Sequence, residues 1–312
     1  MNFRTEIPIK KEQNVIDYNS VILLLGSCFS DTIGKKFNYY KFKSISNPFG
    51  VIFNVISMEK LLTRALDSNF FVKSDFIYHN EQWHNLDLHS DFSNLDLDIA
   101  VAESNLALEL VKKQILQASH GILTLGTAWV YTYKKTNEFV ANCHKIPQEK
   151  FTKKLLSVSE IKAAINRIIS KVQQYNKNIN FIFTLSPVRH VKDGFVENSR
   201  SKAHLLTAIH QVISTNVFYF PAYEIMLDDL RDYRFYKADM LHPNAIAVDY
   251  IWNIFKQTWL NESVYPILKK VASIQKGMQH KPFNPTSEKH KIFMEKLKQD
   301  KKNLLDEFGV DF

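Results

Sequence analysis

The chain has 312 residues, of which 45% are hydrophobic, 23% charged and 13% aromatic. That is enough apolar material for one sizeable globular core, and it excludes a disordered or fibrous chain. The formal charge of +8 is weak evidence for an anionic polymer, because Ser263 to Phe312 alone holds ten Lys against six acidic residues; with no Arg-rich helix elsewhere, no nucleic-acid partner is expected.

In chain order, the opening "MNFRTEIPIKKEQ" lacks an apolar signal core, and no apolar run approaches the roughly 18 residues of a membrane span. A cytoplasmic protein with no membrane partner is expected. "VILLL", Val21 to Leu25, reads as a buried strand, and Gly26 turns the chain into "SCFSDTIGKKF", a helical start. Ser27 and Cys28 therefore stand at a strand's C-terminal end, the edge where open α/β sheets bind ligands. "SISNPFG" is a loop carrying Asn47 and Gly50, and an amphipathic helix follows it to Leu66. From Phe70 to Phe92, alternating apolar and polar residues predict short antiparallel strands inserted into the main fold, the insertion spanning about residues 70–97. Its Trp83, His84 and His89 either line a pocket, rings stacking on sugars and imidazoles bonding hydroxyls, or pack a small core of their own. "LDIAVAESNLALELVKKQILQAS" is a helix.

"GILTLGTAWVYTY" gives a second buried strand ending at Gly126, with Thr127 and Trp129 just beyond. "NEFVANCHKIP" is an extra strand in which Cys143 and His144 point to opposite faces and so cannot act on one atom together. "SVSEIKAAINRIISKVQQYN" is a helix opened by a Ser–Glu capping box. "INFIFTLSPVRH" is a third strand, with Arg189 and His190 at the same edge; Arg189 suits a carboxylate or phosphate, or an acidic neighbour. "NSRSKAHLLTAIHQVIS" is a helix, and "NVFYFPAYEI" a fourth strand. The last core helix, "PNAIAVDYIWNIFKQTW", takes Pro243 into its first turn. Alternating strands and helices imply a mainly parallel sheet covered on both faces. Beyond Ser263, a Lys-rich amphipathic arm places Ile292, Leu297, Leu304 and Phe308 at helical spacing, offering a surface that docks on the same chain or on a partner copy as a dimer.

The chemistry concentrates in "ADMLHPN". Asp239 three residues before His242 can accept the imidazole Nδ1 proton and leave Nε2 as a general base. Two lone cysteines, Cys28 and Cys143, read as reduced thiols, not a disulfide framework. No ligand spacing links His79, His84, His89, Asp87 and Asp91, so neither metal nor cofactor is expected.

The ordered set "GSCFS", "NPFG", "GTAWVY" and "DMLHP", with "VANCHKIP" and "SPVRHVKDGF", resembles the GSCFA-domain family from about Leu23 to Phe255. That family is itself similar to the SGNH-hydrolase superfamily. The resemblance implies a three-layer α/β/α, flavodoxin-like domain over residues 1–262 and a helical arm over 263–312. Carried over by position, Cys28 matches the catalytic Ser of a G-D-S block, Gly50 and Gly126 match the glycines of two further blocks, and Asp239 with His242 match D-x-x-H. Ser27 stands where that block has Asp, and Ala128 where an oxyanion-binding Asn is usual, a loss that Trp129 or Asn47 would have to offset.

The implied function is hydrolysis or acyl transfer on an ester, of a carbohydrate or another small molecule. Cys28 would be the nucleophile ahead of Ser27, because a thiol at a helix N-terminus beside a His is expected to have a lowered pKa. His242 would be the base, Asp239 its orienter, and the amides of Cys28, Gly50 and Thr127 the oxyanion donors. The alternative class is a ligand-binding protein that keeps the scaffold without turnover.

Overall fold

The computed structural model describes residues 4–312. Ten strands and nine α-helices follow in order among the described residues. The first half comprises β1 (Val21–Gly26), α1 (Cys28–Tyr39), β2 (Lys43–Ser46), α2 (Val55–Leu66), β3 (Ile77–His79), β4 (Gln82–His84), α3 (Leu97–Gln117) and β5 (His120–Leu125). Next come β6 (Trp129–Tyr133), β7 (Glu138–Val140), β8 (Phe151–Leu155), α4 (Val158–Tyr175), β9 (Asn180–Leu185), α5 (Phe195–His210) and β10 (Val217–Tyr219). The chain closes with α6 (Ala222–Glu224), α7 (Ala245–Trp259), α8 (Tyr265–Gln279) and α9 (Glu288–Phe308).

Five strands form one parallel sheet in the order β2, β1, β5, β9, β10. This is the doubly wound order of flavodoxin-like folds, and its topological switch point lies between β1 and β5. Side-chain alternation divides the sheet between two cores. Leu23, Leu25, Leu123, Leu125, Phe181 and Phe183 face α2, α3, α4 and α5. Ile22, Leu24, Ile122 and Ile182 face α1, α7, α8 and α9. The inner strands β1, β5 and β9 are mostly apolar because both faces are covered.

Local signals set the helix starts. Ser157 and Glu160 form the expected capping box of α4. Asn244 caps α7 through Ala247 N, so Pro243 precedes the helix and does not enter its first turn. The Asn side chain satisfies an orphan amide, which Pro243 has no means to do. β2 falls where the sequence predicts only loop; its four residues are polar at three positions and lie at the sheet edge, so the apolar-run signal is missing. The expected insertion appears as the hairpin β3–β4, and a second antiparallel sheet, β7–β6–β8, follows β5. The run "GILTLGTAWVYTY" therefore breaks at Gly126 into strands of two different sheets.

The C-terminal segment is less separate than its charge suggests. Ile267, Leu268, Val271 and Ile274 of α8 are buried in the second core, joined by Leu297 and Leu304 of α9. Ile292 and Phe308 are 59% and 40% exposed, so half of the anticipated docking face meets solvent. Among the described residues no helix is long and apolar enough to cross a membrane.

Candidate active site

β1 ends in a turn that requires Gly26. Its φ is +137°, and a Cβ there would lie 2.1 Å from the carbonyl oxygen of Thr124 on β5. This approach lets Ser27 N donate to Thr124 O at 3.1 Å and puts Cys28 at the first position of α1. Ser27 is fully buried, and its hydroxyl accepts from Phe29 N at 3.2 Å as the helix N-cap. Cys28 is partly exposed. The two neighbours thus have different roles: the hydroxyl closes the helix end, and the thiol reaches the sheet edge.

The second loop is tied down by Asn47, which adopts a left-handed φ of 43°. Its Oδ1 accepts from Gly26 N at 2.7 Å, while Nδ2 donates to Ser27 O at 3.3 Å and to Asp31 Oδ1 at 2.8 Å. The Asn47 amide is therefore spent on holding the first loop. Gly50 N donates to Asn47 O at 2.7 Å, and Thr127 N donates to Phe53 O at 3.2 Å. The expected trio of open oxyanion amides is not met, since two of them already bond protein carbonyls. The Cys28 amide draws its own thiol toward ionisation.

At the far side of the edge, His242 Nδ1 lies 2.7 Å from Asp239 Oδ2. Asp239 Oδ1 accepts from Leu241 N at 2.8 Å and His242 N at 3.0 Å. Those amides, before the imidazole itself, hold the Asp239 carboxyl down at about 2. A carboxylate fixed by two amides presents its second oxygen to Nδ1 and leaves His242 Nε2 free. The loop carrying this pair is tied to the end of β9, where Arg189 N donates to Leu241 O at 3.3 Å.

The thiol does not behave as anticipated. Burial, with Asp31 second, pushes the Cys28 pKa up, and its own amide, Lys237 and Lys202 only partly oppose this. The helix N-terminus is outweighed by desolvation, so Cys28 is a neutral thiol that needs a base.

Of the remaining candidates, His89 packs over Gly50, where a Cβ would meet its own Cβ at 2.2 Å, and its ring influences Asp31. Trp83 packs against the first core and Tyr78, and His84 bonds Ser93 Oγ at 2.7 Å and His79 O at 2.9 Å while stacking on His144. Trp129 donates its indole N–H to Glu197 O at 3.2 Å, with the Lys153 ammonium over its ring. Arg189 stacks on Tyr236 and Tyr233, donates to the Tyr233 hydroxyl at 3.3 Å, and among the described residues has no carboxylate partner. His144, buried with its Nε2 on Asn85 O, lies in the insertion's packing, and Cys143 beside it is a partly exposed thiol raised by burial. Among the described residues no three His, Cys, Asp or Glu side chains are grouped to hold a metal ion.

Sequence reasoning placed His190 at this edge without a role and missed Ser201 and Lys202, which the edge also gathers. His190 is edge-on to Phe53, its Nε2 is buried without a partner among the described residues, and burial, then Lys202 and His242, push its pKa down to about 3. Ser201 Oγ accepts from Ala128 N at 2.7 Å and fixes the third loop. Lys202 is 2% exposed and bonds the carbonyls of Gly126 and Ser186. A signal was present: Asn198, Ser201, Lys202, Leu205, Ala208 and Ile209 form the buried stripe of α5, and a Lys on such a stripe calls for a reason.

Comparison with known families adds two matches. The model of the GSCFA family covers residues 21–255, and that of the GSCFA domain protein C-terminal domain covers residues 271–312. No curated protein matches the chain. The first match takes in every strand of the parallel sheet and both ends of the candidate site, and the chain belongs to the GSCFA family.

Proposed function

We propose that the protein transfers an acyl group from an ester, to water or to another hydroxyl, with Cys28 as nucleophile and the His242–Asp239 pair as base and orienter, in the manner of SGNH hydrolases. The observation that carries this reading is the 2.7 Å contact between His242 Nδ1 and an Asp239 carboxylate locked by two amides, on the sheet edge that also presents Cys28. A neutral thiol agrees with such a base. His242 Nε2 takes the thiol proton as sulfur bonds the acyl carbon, and returns it to the leaving alkoxide as the C–O bond breaks. Water or an alcohol then attacks the thioester, gives its proton to His242, and regenerates the thiol. The cations around Cys28 and its own amide stabilise the oxyanion, since Gly50 and Thr127 do not offer theirs.

A carbohydrate ester is the substrate class suggested by the aromatic insertion, whose His89 packs over Gly50 of the second loop. The second reading is a binding protein without turnover, favoured by the occupied Gly50 and Thr127 amides and the raised thiol. An assay of ester hydrolysis across acyl chain lengths, with and without sugar acceptors, separates the two. Turnover lost in both Cys28→Ala and His242→Ala supports the enzyme. Tight sugar binding with no turnover of any ester supports the binding protein.

A further inference from the structure

Away from the sheet edge, Ile56, Glu59, Lys60, Thr63, Arg64 and Asp67 recur at the spacing of a single helical face on α2 and wall a groove of about 610 Å³. The β6–β7 hairpin contributes Asn137, Glu138 and Phe139, and α4 contributes Arg167. A second lobe of about 310 Å³ shares Lys60, Arg64 and Glu138 and continues to Ser74 of the insertion and to Tyr133 and Thr136 of the hairpin. The first lobe alone has the volume of a small-molecule site, roughly 300–1,000 Å³. The α2 stripe starts just beyond Phe53, whose carbonyl holds Gly126 N and Thr127 N, and extends about 17 Å along the helix.

The charged and the neutral groups of this groove are in opposite states. Every charge is already matched within the protein. Arg167 donates twice to Glu59, Nη2 to Oε2 at 2.8 Å, and Lys60 Nζ lies 2.8 Å from Asp87 and 2.9 Å from Glu138. Arg64 pairs with Asp75, and Asp67 with Lys171. The first lobe carries three cations and three carboxylates and so offers no net charge. The neutral side chains are free: Thr63, Asn69, Asn137, Ser74, Tyr133 and Thr136 have no side-chain hydrogen-bond partner among the described residues, and none of them is buried. We propose that the groove binds a neutral oligosaccharide, its hydroxyls bonded by these six side chains and one sugar face laid on the half-buried ring of Phe139. The inference rests on the carbohydrate part of the reading above and not on Cys28. A charged ligand would have to break an ion pair to gain a partner, whereas sugar hydroxyls donate to and accept from free hydroxyls and amides without disturbing one. The C–H face of a sugar ring packs on an aromatic ring, and the length of the groove suits several linked rings.

Titration calorimetry of the full-length protein with maltotriose, cellotriose and tri-N-acetylchitotriose should give a Kd of about 1 mM or tighter for at least one of them. Amide shifts of the isotope-labelled protein should then cluster on Thr63, Asn69 and Asn137. Thr63→Val with Asn69→Ala removes two free hydrogen-bonding groups at positions outside the core and should weaken binding about tenfold, with the circular dichroism spectrum unchanged. Because the ligand is neutral, raising sodium chloride from about 50 to about 500 mM should change the affinity by less than about twofold. Absence of binding by all three sugars, shifts confined to another surface, an affinity untouched by the double variant, or one that falls steeply with salt overturns the proposal. Binding is measured without an ester, so groove binding together with absent turnover would sustain this inference and remove the acyl-transfer reading, and ester turnover without groove binding would do the reverse.

Discussion

Ser27 and Cys28 are adjacent, yet the turn at Gly26 assigns them opposite tasks. Ser27→Ala removes the N-cap of α1 and should destabilise the protein by about 1 kcal/mol, measured by urea unfolding, while leaving Cys28 open to alkylation. Cys28→Ala should abolish turnover with little change in stability. Because burial and Asp31 raise the thiol above its ordinary 9.0, alkylation of the wild type should still be climbing at that pH; a plateau reached below it would contradict the raised pKa. Asp239 acts in the opposite direction. Its carboxyl is depressed to about 2, so its hold on His242 is complete above the ordinary 3.8 and lost only as the pH falls through about 2. Mild acidification should accordingly leave this carboxylate charged, and Asp239→Asn should reduce kcat at every pH tested. Much of this site was legible in the sequence: D-x-x-H contains the whole geometry of the pair within four residues. The occupied amides were not, because whether Gly50 N or Thr127 N is free depends on where Asn47 O and Phe53 O come to lie. Lys202 was overlooked because a lone Lys is ordinarily read as solvated.

At the scale of elements, the β1–α1 turn and the C-terminal helices carry the sharpest consequences. Gly26→Ala places a Cβ against the Thr124 carbonyl on a backbone with φ of +137°, and should prevent folding or cost several kcal/mol, about 3 or more, by circular dichroism and urea unfolding. The helices differ from what composition implied. Strand and helix alternation ends before Ser263, but α8 completes the second core, and a chain ending at Asn261 would expose the partners of Ile267, Leu268, Val271 and Ile274. Such a truncation should fail to fold cooperatively. One ending at His280 removes only α9, exposing Leu297's and Leu304's contacts, and should keep the fold with a lower midpoint of thermal unfolding. A cooperative, native-like chain ending at Asn261 would show that α8 merely docks. Strong periodicity made the long helices readable, α4 with its capping box above all. Short strands were harder: β2 ("KSIS") and β8 ("FTKKL") are mostly polar over four or five positions, a composition shared by many loops, and they are strands because a neighbour supplies their hydrogen bonds.

Across the whole molecule, three strand ends lie at one edge of the sheet. β1 brings Cys28, β5 brings the Gly126 turn, and β9 leads to the loop that is tied to His242, so the candidate groups come from parts of the chain more than 200 residues apart. The sheet order has its switch point between β1 and β5, where adjacent connections run to opposite faces. Acyl transfer through the thiol requires a covalent thioester on the way to product. The measurement that reaches it is acid-quenched peptide mass spectrometry after brief exposure of the full-length protein to p-nitrophenyl acetate. One acetyl group should be found on Cys28 in the wild type and be strongly reduced in His242→Ala. Acetylation of Ser27 in place of Cys28, or equal labelling of Cys28 with and without His242, would contradict a Cys28–His242–Asp239 mechanism.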